Sequence, residues 1–580
     1  MAPASRVAAG AAVAPRSLLR RLRDVRRRFG AECEREKRAL LRALAGTRLD
    51  RAADVAALHE DLLFLVAFAG SRAVERAALA QLRSIESRVR SLPRAERIRL
   101  DDSGIAGSTT RHVFPYPVAR WLARERDVAA EIDWPALADA AMLDPLVGAR
   151  LTDTEREGFD SGDYATRAFI ALAQPRTVTS TLRWLVDVPA SEMSLTAVAW
   201  DAAEVPVAWP QSAGRWSVTR NRVAGVASAL RTALRRPPND IAQAILAPLP
   251  TVEYLPRRRA LRVIATARAA LAARCREVNA ITSPNPGDVC WCDLGDGLAL
   301  AVIGIAPAAR LTLETNTGYV LFANGVPLGY GGVTPLFRQA NTGINIFDAF
   351  RGSEGAFVWT QMLRAFRTLY GTRRFVVNPY QFGAGNAEAI RSGAFWFYYR
   401  LGFRPVHADV RTLAAREAAR MADAASYRSD ARTLRALARG DLVLDLPDCA
   451  PDDAFDEALL PRAGALAARV LAARPVRSRE HALRAVERDV VRAVGIADYA
   501  AWSDDDRRGL RRLAPLVAAL RDVEGWSASE RQALRAMLRA KGALREREFA
   551  QAAHAAPRFF TGLRAALASD ATTTAETRIR

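Results

Sequence analysis

Lysine is almost missing from this chain. Lys37 and Lys541 are the only two, so 82 of the 84 basic residues are arginines. That imbalance, beside abundant alanine, looks like the codon bias of a GC-rich genome. It weakens the case that the formal charge of +21 marks a nucleic-acid or membrane-surface partner. Cysteine is scarce as well: Cys33, Cys275, Cys290, Cys292 and Cys449 form no disulfide framework, and nothing reads as an export signal, so the expected location is cytoplasmic. Long apolar runs are lacking too. Residues 298–309 are apolar but carry Pro307 and fall short of the ~20 residues a spanning helix needs, so no membrane segment is expected. No acid precedes Asp24, which mimics an organelle transit peptide; a disordered basic tail over 1–30, running into a helix, is the favoured reading.

What remains is ordinary globular material, 50% hydrophobic and 25% charged over 580 residues, enough for about three or four folding units. Leu58, Leu62 and Leu65 recur at helical spacing, and residues 31–280 read as a helical region with a break near 100–117 and one short strand pair around 205–218. Beyond Ser283-Pro284-Asn285-Pro286-Gly287-Asp288 the pattern changes. Residues 289–293 and Leu298–Ile305 read as strands, and 318–323 and 326–333 form a hairpin, because Asn324-Gly325 suits a type I′ turn. A strand over 344–350, an Arg-Gly turn, an amphipathic helix to Tyr370, a strand over 374–378 and a second helix ending near Gly402 complete a unit over 281–410. Helical periodicity returns over 411–570, and 571–580 reads as a disordered tail. The expected fold class is therefore multidomain α+β, a central α/β unit flanked by helical regions. Between 281 and 410, ten arginines face eight acids, so most of the basic surplus lies on the flanks.

A small-residue turn entering a helix leaves main-chain N–H groups unpaired at the positive end of the helix dipole, which suits a pyrophosphate. Residues 351–356 hold that position. The order of parts over 318–406, together with Phe397-Tyr398-Tyr399-Arg400-Leu401-Gly402-Phe403, resembles the GNAT acyltransferase superfamily, whose members move an acyl group from acyl-CoA to an amine. The family's turn reads Arg or Gln, two residues, Gly, one residue, then Gly or Ala. Arg351, Gly352 and Ala356 match it, but Glu354 stands where a glycine is expected. A carboxylate there would oppose the cofactor by roughly 1 to 4 kcal/mol at about 4 Å.

The resemblance implies acetyl-CoA or another acyl-CoA as co-substrate, held by Arg351, Gly352, Ser353, Gly355 and Ala356, with pantetheine along 344–350 where that strand splays from 374–378. It implies Tyr398 as the acid for the departing thiolate, and a base drawn from Asp348, Glu314 and His407, with Asp348 preferred. The family's asparagine before the tyrosine is represented either by Asn386 or, with a serine in its place, by Ser392. The acceptor is an amine of a small molecule, peptide or protein. The competing expectation is an inactive fold of this kind acting as a scaffold, with basic helices meeting nucleic acid.

Other constellations carry less. Cys290 and Cys292 share one strand face but lack further metal ligands nearby and read as buried small hydrophobes, and no metal is expected. His59-Glu60 lacks the second histidine of a zinc helix, so His59 reads as a helix-surface residue. Asp101-Asp102-Ser103-Gly104 lacks the strand and the Gly-Lys of a phosphate loop.

Overall fold

A computed structural model describes residues 14–578 except 213, 227 and 250; side chains are described only up to 569. The chain is a mixed α/β protein with a mixed sheet and many helices. A small antiparallel sheet comprises β1 (Thr109–Val113), β2 (Glu131–Ile132) and β3 (Pro206–Pro210), with β3 in the middle. The larger sheet comprises β4 (Val252–Tyr254), β5 (Pro284–Gly295), β6 (Leu298–Ile305), β7 (Thr317–Ala323), β8 (Val326–Leu336), β9 (Gln339–Thr342), β10 (Asn345–Ile346), β11 (Arg374–Val377), β12 (Arg404–Pro405) and β13 (Leu442–Asp445). Its spatial order is β12-β13-β11-β9-β8-β7-β6-β5-β4, with β10 beside β8.

Strands β5 to β9 form an antiparallel meander, and its hairpins are set by local chemistry. Asn324 (φ 47°) and Gly325 (φ 76°) give the β7–β8 turn the left-handed pair that a type I′ hairpin requires. Every residue of β6 is buried, as expected of a strand covered on both faces. Among the described residues the one parallel pairing joins β9 to β11, Gln339 opposite Arg374 and Asn341 opposite Val376, and the helix Gly355–Tyr370 makes the crossover.

Several expectations change here. The strand expected over 344–350 is short: only Asn345–Ile346 pairs, and Asp348–Phe350 is a 3₁₀ turn. Its true beginning is β9, hidden because Gln339, Asn341 and Thr342 are polar and because Phe337 enters the preceding turn left-handed at φ 56° without a glycine. The sheet also exceeds 281–410 at both ends, since β4 pairs with β5 and β13 pairs with β11. Within 31–280, the strand pair expected around 205–218 is present as one strand, β3, whose partners are β1 and β2 from earlier in the chain, and the core of this region is continuous with that of the sheet. The expected tail over 1–30 lies outside the described residues as far as 13; Pro15–Val25 is helical. The threonine-rich end prolongs a helix to Arg578 rather than forming a loose tail.

The C-terminal helices gather around a second core, including Val486, Leu513, Met537 and Phe560, which also takes in Leu313, Leu336 and Phe337 from the sheet region. They dock on the sheet through buried charges. Arg310 Nε meets Glu546 Oε1 at 2.7 Å, and Arg310 also donates to the carbonyls of Ala543 and Leu544. Lys541, 1% exposed, donates to the Glu314 carbonyl at 3.2 Å over the Phe549 ring, and burial pulls its ammonium down to about 8. Asp288 accepts from the Glu546 amide at 2.9 Å, and burial pushes its carboxyl up to about 6. Among the described residues no helix is long and apolar enough to cross a membrane.

Removing one member of a buried pair strands the other. Glu546→Ala should destabilise the docked state by about 3 to 5 kcal/mol. Because most of that second core comes from the C-terminal helices, urea unfolding should then split into two transitions; a single unshifted transition would refute the account.

Candidate functional site

The parallel pair comes apart after Asn341. β9 and β10 lie on one continuous register against β8, Val333 opposite Thr342 and Tyr330 opposite Asn345, and so run straight on. β11 accompanies them for three residues only, then leaves at Asn378, which caps the turn Pro379–Phe382 by accepting from the Tyr380 amide. The fork between them opens at Ile344, and the helix Gly355–Tyr370 begins beside it. β8 stays close at this point because Gly331 has no side chain: a Cβ there would stand 2.8 Å from the Gly343 carbonyl oxygen and collide with the Tyr319 hydroxyl.

The turn into the helix is built as the sequence argument requires. Gly352 has φ 71°, a region open to glycine at little cost. Val358 makes the first helical bond, to Glu354, so the amides of Gly352, Glu354, Gly355, Ala356 and Phe357 donate to no acceptor among the described residues. Gly355, Ala356 and Phe357 are half-exposed, and the nearest atom to a Cβ placed on Gly355 is Phe397 Cε2 at 3.9 Å, so the amide row is open. Ser353 points back, its hydroxyl donating to the Phe350 carbonyl at 2.6 Å. Arg351 is exposed and ion-paired with Asp348 at 3.1 Å and Glu388 at 2.6 Å.

Glu354 does not face this cradle. Its side chain is fully buried, with Oε2 accepting from Arg231 Nη2 at 2.9 Å and Oε1 from the Arg235 amide at 2.7 Å. Burial pushes its carboxyl up, and those two donors hold it back. The repulsion expected from the missing glycine is therefore cancelled by a cation of equal charge. A further cation approaches from the N-terminal region. Arg27 donates to the Arg351 carbonyl at 2.6 Å, and its guanidinium lies 3.2 Å from where a Gly352 Cβ would be. Arg27, Arg231 and Arg235 are separated from the turn by more than a hundred residues, so no local spacing announces them.

Tyr398 is a core residue that also reaches the fork. It is 3% exposed and packed edge-on against Trp359, Phe382 and Phe403, a core position; yet its hydroxyl sits against the Ile344 main-chain amide, at the fork. Burial raises the phenol well above its ordinary range, opposed by that amide, so it carries its proton throughout the neutral range. Beside it the fully buried Trp359 indole N–H has no acceptor among the described residues.

The remaining expected residues separate into two groups. Asp348 and Glu388 stand exposed at the mouth through Arg351. Glu314 lies instead against Lys541 at the docking surface, and His407 caps a helix beside Gly440 near β12 and β13, so neither reaches the fork. Asn386 and Ser392 hold helices rather than a ligand: Asn386 accepts from the Ala389 amide and donates to the Tyr380 carbonyl, and Ser392 donates to the Ala389 carbonyl. The long spacing from Asn386 to Tyr398 follows from a break. Gly393, at φ 65°, ends the short helix Ala387–Ser392 before Ala394–Arg400 begins.

His59 is buried rather than on a helix surface, bonded to Thr219 at 3.1 Å, and burial pulls its imidazole down to about 3. Cys290 and Cys292 are buried with their sulfurs 3.9 Å apart, and no cluster of metal ligands occurs among the described residues. Asp101 and Asp102 accept from the Thr109 and Arg111 amides and tie off a loop. A cleft of about 750 Å³ lined by Arg124, Arg150, Arg183 and Trp184 lies apart from the fork and contains none of the expected residues. Compared with protein families, curated proteins and solved structures, the chain matches none.

Replacing Glu354 with Gly would restore the family's turn at the expense of a buried partner. Denaturant titration should show Glu354→Gly destabilised by about 3 to 5 kcal/mol, with Arg231 left uncompensated. Stability equal to wild type would mean the pair is dispensable.

Proposed function

We propose that the chain transfers an acyl group from acyl-CoA to an amine. The observation that carries this reading is the set of unpaired amides of Gly352 and of Glu354 to Phe357, open at the fork of two parallel strands with the Tyr398 phenol at its apex. The row and the dipole of a 16-residue helix suit a pyrophosphate, and Arg27 adds an exposed cation beside it. The strand edge beyond Asn341, released by β11, offers main-chain groups to an extended amide-bearing arm.

Acyl-CoA, when bound, supplies a thioester whose carbon joins the acceptor nitrogen as the carbon–sulfur bond breaks, while the acceptor ammonium gives one proton to the departing sulfur and one to solvent. Burial keeps Tyr398 protonated beside the Ile344 amide, which suits it to pass a proton to the leaving thiolate and regain one from the acceptor nitrogen. Asp348 and Glu388 attract the ammonium to the mouth, and Asp348 relays its proton outward. Arg351, spanning the two carboxylates, fixes their spacing.

Isothermal titration with acetyl-CoA should give micromolar-range binding; none at all would leave the scaffold reading in its place. Gly355→Asp is sterically free and sits in a first helical turn that favours acids, so its stability should hold. Its affinity for acetyl-CoA should nevertheless fall by roughly 5- to 150-fold, from a Coulomb penalty of about 1 to 3 kcal/mol. Tyr398→Phe keeps the ring packing and should lower kcat by about 100-fold with KM for acetyl-CoA unchanged. An unchanged kcat would remove Tyr398 from the mechanism.

A further inference from the structure

The alternation of side chains across β8 separates two faces. Tyr319, opposite Gly331, packs on Phe366 of the helix Gly355–Tyr370, so Tyr330, the next residue along, lies on the other face. There it stacks on Phe347 at 5.4 Å, and Asn345 is its partner on β10. This second face adjoins the fork, since Ile344 and Asn345 are consecutive.

Two arginines reach this face from the end of the helix Arg257–Ala272. Arg274 lies over the Phe347 ring, its guanidinium carbon 3.9 Å from the ring centre, and donates to the Ala270 carbonyl at 2.8 Å. No carboxylate lies within ion-pair distance of it among the described residues; the nearest acid it senses, Asp348, is engaged by Arg351. His59, the other titratable group beside it, is neutral. Arg276, next to Tyr330, is exposed, and its guanidinium has no partner among the described residues. Cys275 between them is left-handed at φ 53°, an uncommon state for a residue with a side chain and one that tends to persist where function holds it. Other arginines near the fork, such as Arg231 and Arg351, have a carboxylate. A half-buried guanidinium without one is a standing electrostatic deficit that an anionic ligand would fill.

We propose that the acceptor amine carries a carboxylate of its own, bound by Arg274 and Arg276 on the sheet face opposite the Gly355–Tyr370 helix, as in an α-amino acid. The inference rests on the acyl-transfer reading and deepens it. The carboxylate pairs with the two arginines, an apolar side chain packs on Tyr330, and the ammonium is drawn toward Asp348 and Glu388.

N-acetylphenylalanine and N-acetylphenethylamine differ only in the carboxylate and represent product and decarboxylated product. Titrated calorimetrically into the full chain, the first should bind at least about 10-fold more tightly. Arg274→Gln and Arg276→Gln should each weaken N-acetylphenylalanine about 10-fold and leave acetyl-CoA affinity and melting temperature at wild-type values. Arg276 is exposed, so its variant remains informative if Arg274→Gln unfolds. Equal binding of the two probes, or no loss in Arg276→Gln, overturns this inference while acyl transfer stands. Failure of acetyl-CoA itself to bind overturns both.

Discussion

A carboxylate taken out of water must find a cation and hydrogen-bond donors or surrender its charge. Glu354 finds both on the segment around Arg231 and Arg235, and the geometry of the fork follows from that arrangement. The segment is pinned in turn by Arg231, whose amide donates to the Ala69 carbonyl and whose guanidinium lies over Phe68. Phe68 meets Phe350, the last residue before the turn. Three stretches far apart in sequence thus converge on one helix start, and the amides stay open because the carboxylate is drawn inward.

The same device recurs at the other end of the sheet, where Arg310, Glu546, Lys541 and Asp288 sink together between two apolar cores. Lys37, the other lysine, is likewise fully buried against Glu34 at 2.6 Å. The two lysines of an arginine-rich chain therefore serve inside it. A compact ammonium with three donors suits a small closed site, whereas the broad guanidinium spans gaps between segments. Many surface arginines, such as Arg374 with Asp445 and Arg439 with Asp409, are paired with neighbouring acids, which tempers the formal charge as a sign of polyanion binding.

What the sequence made legible was local. The Asn324-Gly325 hairpin, the buried strand β6, the turn at Gly352 and the amphipathic helix after it all follow from short-range pattern and all occur. What it hid was non-local or broke a rule. β9 is polar because it is an interior strand whose Gln339 and Asn341 side chains reach Phe455 and Glu457 in the C-terminal region. Arg27, Arg231, Arg274 and Arg276 belong to the fork only through tertiary packing. Asn386 and Ser392 had the right chemistry but are consumed by helix ends, a use that spacing alone does not separate from ligand binding.

The position of β13 has a bearing on biosynthesis. β11 pairs with β9 on one side, but its other side is covered only by β13, which emerges from the ribosome much later, after several intervening helices. Until then Phe375 and Val377 belong to a bare strand margin, the kind of surface to which another nascent chain adheres. Production of this protein should therefore depend on chaperone occupancy during that interval, and slowing translation between Asn378 and Leu442 would prolong the exposure.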